Sequence, residues 1–257
     1  MSGTRLFASL TLALGACATA DPGGGNNGNV DAPGGSEVDA PGGGDPDAPG
    51  STVDAPMTPI DAPPGNIDAA LQTITLSQSG AMTITALNSV SCNAAGITAE
   101  NSYYRVFRLS DFGVVRPFTA QRIDFGVESA DAEVGTSQTV QVRLYTLNGT
   151  FITTNLTSVA GQLVTVNDTT AGIVLPVALS PAPVIQPTET LVAELFVPDS
   201  DADGNGAGNI FFIGSNTTAE TGPSYIRAPD CAITQPATVD SINFPDMHVV
   251  LTVTGVF

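Results

Sequence analysis

The stretch QTVQVRLYTLNGT, residues 138–150, decides the fold class, because apolar and polar residues alternate along it up to a turn signal. Val140, Val142 and Leu144 fall on one side of an extended chain, and the residues between them fall on the other. Period two with β-branched residues is typical of a half-buried strand. The Asn148-Gly149 pair suits the left-handed backbone of a type I′ turn. The stretch therefore predicts a β-hairpin.

Similar runs recur between turn signals from Leu71 to the end of the chain, and none shows helical periodicity. Many short strands at regular spacing indicate an all-β, antiparallel two-sheet sandwich over residues 70–257, of jelly-roll or Ig-like topology. The predicted strands are 72–77, 82–87, 103–109, 120–128, 138–147, 150–155, 162–167, 172–179, 190–197, 209–214 and 247–256.

The composition is acidic, with a formal net charge of −18, seven basic residues that are all Arg, and one His. Such a chain has no surface that neutralises phosphates, so we expect no nucleic acid partner. The absence of lysine excludes Schiff-base catalysis and a P-loop lysine. A single His excludes zinc sites that need several.

Residues 1–17 predict an export signal, because Arg5 precedes a short apolar run that is too short to span a membrane. The run ends in Leu14-Gly15-Ala16-Cys17, which resembles a bacterial lipobox whose Cys17 is lipidated. We therefore expect a lipoprotein anchored in the cell envelope, at the outer membrane or cell surface, that contacts the membrane only through its lipid. Residues 18–20, Ala-Thr-Ala, also fit a signal-peptidase site, which would release a soluble secreted protein.

Residues 18–69 repeat Asp-Ala-Pro every seven or eight positions, beginning at Asp31, Asp39, Asp47, Asp54 and Asp61. The segment has little apolar surface to bury, and its charges repel one another. It predicts a disordered acidic tether that holds the domain away from the lipid surface.

Two cysteines remain beyond the export signal, Cys92 and Cys231. In an oxidising compartment a disulfide between them is the expected state. The alternative, a reactive nucleophile, has little support because no His is near either Cys in the sequence. His248 alternates with Met247 and Val249 in a predicted strand, which is more typical of an outward strand residue than of a catalyst.

Four phrases resemble a β-rich module that recurs in secreted bacterial multidomain proteins, sometimes beside peptidase or sorting domains. They are NSYYRVFRL (101–109), FFIGSN (211–216), PSYIRAPDC (223–231) and FPDMH (244–248). The resemblance covers roughly residues 90–257. It implies an extracellular accessory or binding domain, and it transfers no catalytic residue.

The best local candidate for a ligand site begins with Asp199, Asp201, Asp203 and Asn205, which is similar to the start of an EF-hand calcium loop. Alternating carboxylates converge on a hard cation, so calcium is the one cofactor that the sequence suggests. The pattern then fails, because Ile210 occupies the twelfth position where a bidentate Glu is expected. A solvated, glycine-rich hairpin loop is the alternative.

The residues around Tyr225 and Arg227, next to Cys231, are the predicted ligand-binding surface for an extracellular protein or glycan. Trp is absent, so tyrosines are the available stacking platforms for sugars: Tyr103, Tyr104, Tyr145 and Tyr225. Core packing and a structural loop are the alternatives for these residues.

Glycosidases use a pair of carboxylates as acid and as base or nucleophile, and Glu128, Asp131 and Glu133 are the candidates for such a pair in this sequence. The export pattern, the acidic linker and the scarcity of catalytic residue types together favour a non-enzymatic binding or structural module, and no catalytic residue is assigned. A carboxylate-based hydrolase and a calcium-dependent adhesion domain are the alternatives.

Overall fold

The computed structural model describes residues 70–94, 96–200 and 208–257, which fall within one compact unit, Pro64–Phe257. The predicted signal peptide with Cys17 and the predicted tether 18–69 lie outside the described residues. The strands are β1 Thr73–Leu76, β2 Asn93–Ala94, β3 Ile97–Thr98, β4 Asn101–Arg108, β5 Phe118–Asp131, β6 Ser137–Leu147, β7 Leu156–Asn167, β8 Ile173–Ala178, β9 Val184–Ile185, β10 Thr190–Val197, β11 Ile210–Ile213, β12 Ser215–Asn216, β13 Tyr225–Ala228, β14 Ile233–Thr238, β15 His248–Val249 and β16 Leu251–Val256.

Helical structure in the described residues consists of short 3-10 turns, at Leu109–Phe112, Thr153–Asn155, Pro229–Cys231 and Asp240–Ile242. No helix in this part of the chain is long and apolar enough to cross a membrane.

Two antiparallel six-stranded sheets make up most of the domain, as the alternation of apolar residues predicts. In the first sheet the long strand β5 is central and pairs with β16, β11, β8 and β9, while β1 extends the sheet beyond β16. The second sheet has the order β14-β13-β4-β10-β6-β7. The fold is therefore all-β, and its strand order is a product of pairings between segments that are distant in the chain.

A single hydrophobic core joins side chains from both sheets. Tyr103 and Phe107 of β4 reach it from the second sheet, and Ile123 and Phe125 of β5 reach it from the first. Burial of such side chains removes apolar surface from water and contributes most of the favourable free energy of folding. The sheets therefore form a sandwich with their inner faces in contact.

The predicted strand 247–256 is divided into β15 and β16 at Val250. Period-two alternation of buried and exposed residues does not hold in β16, because Leu251, Thr252 and Val253 are all buried. A strand paired on both sides, with β1 and β5, and covered on both faces has no solvent side.

The predicted strands 82–87 and 150–155 are wrong. Residues 82–87 form an irregular segment, tied to β12 by the hydrogen bond from the Thr85 amide to the Ser215 carbonyl. Residues 148–155 form a longer hairpin loop in place of a two-residue turn, and β7 begins only at Leu156. Prediction also missed β13 and β14, because these short strands lie among turn-forming residues.

The predicted disulfide between Cys92 and Cys231 is present, with a Cα–Cα distance of 5.9 Å. It joins the segment before β4 to the 3-10 turn between β13 and β14. The cross-link therefore fixes one end of the second sheet.

Candidate functional site

One row of side chains crosses the outer face of the second sheet. Register places Tyr225 opposite Tyr104, Tyr104 opposite Glu194, and Glu194 opposite Arg143. Directly opposed residues on antiparallel strands have their Cβ atoms about 5 Å apart, so these four side chains are immediate neighbours. Tyr145 is two residues from Arg143 on the same face of β6.

The hairpin loop 148–155 covers part of this row. The Phe151 ring packs edge-on against Tyr104, with a centroid distance of 5.4 Å, and against Tyr225, with a centroid distance of 4.9 Å. The loop also reaches the far edge of the sheet, where the Thr153 amide donates to the Gln235 side chain at 3.0 Å. It is therefore a strap across the sheet from β6 and β7 to β14.

We call the group formed by Tyr104, Tyr145, Phe151, Glu194, Tyr225 and Arg143 the tyrosine patch. Tyr104 and Glu194 are both 2% exposed and form its floor. The rings of Tyr145, Phe151 and Tyr225 are half-buried around that floor. A patch of this kind presents ring faces and polar groups together, which suits a ligand that is part apolar and part hydroxylated.

Glu194 is a carboxylate held at the centre of the patch. The Tyr145 hydroxyl donates to Glu194 Oε2 at 2.6 Å, and Arg143 Nη1 lies 3.4 Å from the same oxygen. The Arg143 guanidinium also stacks on the Phe196 ring at 3.8 Å from its centroid. These contacts satisfy the buried charge and fix the rotamers of both partners.

Burial raises the pKa of Tyr104 and of Tyr145 well above the ordinary value, and the negative charge of Glu194 adds to both shifts. Burial also raises the pKa of Tyr225. A low-dielectric site disfavours the phenolate, and a neighbouring carboxylate disfavours it further. The tyrosines of the patch therefore stay neutral, and the Tyr145 hydroxyl remains a hydrogen-bond donor to Glu194.

The two predicted ligand-binding residues lie on this face, two positions apart on β13. Tyr225 belongs to the patch, whereas Arg227 pairs with Glu100 and donates through Nε to the Thr234 carbonyl at 3.3 Å. Tyr103 points into the core instead, and its hydroxyl donates to the Val90 carbonyl at 2.9 Å. Three of the four tyrosines named from the sequence therefore meet, and one is structural.

Sequence reasoning missed Glu194, Arg143 and Phe151 as members of the site. Nothing local marks them, because their neighbours come from other strands. An unusual signal was available at Glu194, which is a charge within the otherwise apolar run TLVAELFV (190–197). A charge in a central strand needs a partner, and such a charge marks a candidate polar site.

The other sequence-predicted candidates do not join the patch. The Glu128 carboxylate accepts hydrogen bonds from the amides of Leu87, Asn88 and Ser89, which is a structural role. Asp131 and Glu133 are exposed at the end of β5 and just beyond it.

His248 is half-buried on β15, and its ring nitrogens contact the carbonyl oxygens of Thr218 and Pro245. The histidine is therefore engaged with backbone groups of neighbouring loops, apart from the tyrosine patch.

Asp199 is an exposed residue after β10 and is engaged in an interaction of its own. Asp201, Asp203 and Asn205 lie outside the described residues, so the predicted calcium loop stays a prediction. Elsewhere, across 70–94, 96–200 and 208–257, no three His, Cys, Asp or Glu side chains form a group that could hold a metal ion.

A buried arginine positions the start of β13. Arg105 is fully buried, and its Nη1 lies 2.6 Å from Glu220 Oε2 and 2.7 Å from the Gly222 carbonyl oxygen. Its Nε and Nη2 donate to the Val249 carbonyl at 3.0 and 2.6 Å. The Ser224 hydroxyl, next to Tyr225, also donates to Glu220 at 3.0 Å. This network fixes the segment that carries Tyr225 into the patch.

No family model matches the chain. No curated protein matches it significantly. Among solved structures, the chain is similar to the cysteine protease and lectin-like domains of a surface layer associated protein of Clostridium difficile. The TM-score is 0.36 at 9% identity, and the match covers 62% of this chain and 32% of that one. A similarity at this level supports no functional assignment.

Proposed function

We propose that this chain is a non-enzymatic, exported binding module, anchored to the cell envelope through Cys17 and held away from the lipid by residues 18–69. Its ligand is a glycan that binds at the tyrosine patch. The export pattern of residues 1–17 and the Asp-Ala-Pro repeats support the location. The patch supports the binding role.

The observation that carries the proposal is the position of Glu194. A carboxylate that is 2% exposed lies on the outer face of a sheet, where a solvated side chain is the norm, and aromatic rings surround it. Folding alone gains little from burying a charge, because desolvation offsets the attraction between the partners. Glu194 instead fixes Tyr145 and Arg143, which remain partly exposed above it. The partly exposed rings of Tyr145, Phe151 and Tyr225 match the C–H faces of a sugar, and the guanidinium beside them matches its hydroxyls.

The test is a glycan array probed with the full-length chain, followed by calorimetric titration of the best-bound glycan. We expect Tyr225→Ala to weaken binding by about tenfold or more, since it removes one ring face from the patch. Val184→Ser is the matched control, because Val184 is exposed on the first sheet, and it should bind as the parent does. A chain that binds no glycan, or a Tyr225→Ala variant that binds equally well, would contradict the proposal.

A further inference from the structure

Leu87 is presented to solvent at a conformational cost. Its backbone lies in the left-handed region with φ of 59°, which is unfavourable for a residue with a branched side chain. Its side chain is 96% exposed, so no apolar burial offsets that cost. Backbone strain that persists at a surface residue is a reason to look for a functional role.

The surrounding structure holds Leu87 in this conformation. The Glu128 carboxylate accepts from the Leu87 amide at 2.9 Å and from the Ser89 amide at 3.0 Å. Asn88 is fixed in turn, because its side-chain amide donates to the Ser215 hydroxyl at 2.8 Å and to the Asp246 carbonyl at 3.1 Å. The loop is therefore preorganised, with Leu87 at its tip.

A second left-handed residue faces this loop across a groove of ≈ 240 Å³. Asn243 has φ of 70°, and it precedes Phe244, which is 42% exposed. Val90 and the buried Met247 also line the groove. The left-handed conformation costs Asn243 little, because Asn tolerates it, so the strained position is Leu87 alone. The two loops place the exposed apolar side chains of Leu87 and Phe244 on the lining of one groove.

The charges around the groove are acidic and favour a basic partner. Asp246 is exposed on its lining, and none of the lining residues is basic. The Glu128 carboxylate lies beneath the Leu87 loop. The chain as a whole carries a formal net charge of −18, so an acidic partner is repelled and a basic one is attracted.

We propose that this groove binds a cationic segment of another protein, which inserts one aliphatic side chain between Leu87 and Phe244 and places a basic residue near Asp246. The interaction surface is separate from the tyrosine patch and does not depend on glycan binding. Rigid walls lower the conformational entropy lost on binding, which is what a preorganised anchor site provides.

The test uses fluorescence anisotropy with the full-length chain and three labelled pentapeptides: Lys-Lys-Leu-Lys-Lys, Lys-Lys-Gly-Lys-Lys and Glu-Glu-Leu-Glu-Glu. We expect the leucine peptide with lysines to bind about tenfold more tightly than either of the others, because it alone combines the anchor with the charge. Equal binding of the glycine peptide would reduce the effect to general charge attraction and overturn the proposal. Absence of binding at millimolar peptide would also overturn it.

Leu87→Asn separates binding from folding. Asn tolerates the left-handed region, so this variant should melt at the same temperature as the parent or higher, yet bind the leucine peptide about tenfold more weakly. Val115→Asn is the matched control, because Val115 is 76% exposed elsewhere and does not line the groove. Equal losses in both variants, or no loss in Leu87→Asn, would refute the role of Leu87.

Discussion

Replacement of Arg105 by Met tests whether one buried guanidinium holds the candidate site in place. Arg105 shares the inner face of β4 with Tyr103 and Phe107 and is fully buried. Met has a similar length and no charge, so the variant removes all four hydrogen bonds to Val249, Glu220 and Gly222. It leaves the carbonyl groups of Val249 and Gly222 without the Arg105 donor, and Glu220 keeps only the Ser224 hydroxyl.

The expected cost follows from the burial of the pair. The Arg105 side chain is 0% exposed and that of Glu220 is 19% exposed, so solvent screens their interaction only weakly. Removal of one member of such a pair costs about 3–5 kcal/mol. With a urea dependence of about 2 kcal/mol per molar, the unfolding midpoint should fall by about 2 M.

The assay is equilibrium urea unfolding followed by far-ultraviolet circular dichroism. Arg122→Met is the matched control, since the Arg122 side chain is 48% exposed in its pair with Asp124 and should contribute only about 0–1 kcal/mol. Glu220→Gln keeps an acceptor for Arg105 and should cost less than Arg105→Met. If Arg105→Met is no more destabilising than Arg122→Met, the inferred role of the buried arginine is wrong.

Three further outcomes are expected. The Cys92–Cys231 bridge joins residues 139 positions apart in the chain, and its reduction should lower the free energy of unfolding by about 2–5 kcal/mol. A melting temperature unchanged by reductant would contradict this. Tyr104 and Tyr145 have pKa values raised above the unfolded value of 10.0, so the folded state keeps protons that the unfolded state releases. The contribution of these two tyrosines to stability should therefore be constant below pH 10 and fall as the pH rises above it, as urea unfolding at several pH values from 8 upward would show. In Gly126→Ala the new Cβ would lie 2.9 Å from the Gly214 Cα, so the variant should lose about 1–3 kcal/mol by thermal unfolding. Gly161→Ala should change little, because its nearest contact is the flexible Gln141 side chain at 3.3 Å.

Part of the candidate site was predictable from residue types. Tyr225 is a predicted ligand-binding residue because its segment is tied down by Cys231, and its ring lies in the patch. Glu194 and Phe151 were not named, because their significance depends on which strand lies beside theirs. The pairing of β10 with both β4 and β6 joins segments far apart in sequence, and alternation contains no information about such pairing.

The amino-acid sequence by itself determined the all-β class and the disulfide partners, because side-chain alternation and the number of cysteines are local or countable properties. Only the tertiary structure decided the strand order, the strap formed by residues 148–155, and the convergence of tyrosines around Glu194. The physical reason is that strand order and register arise from competition among many long-range pairings, each stabilised by the burial of a whole face and none by a single local signal.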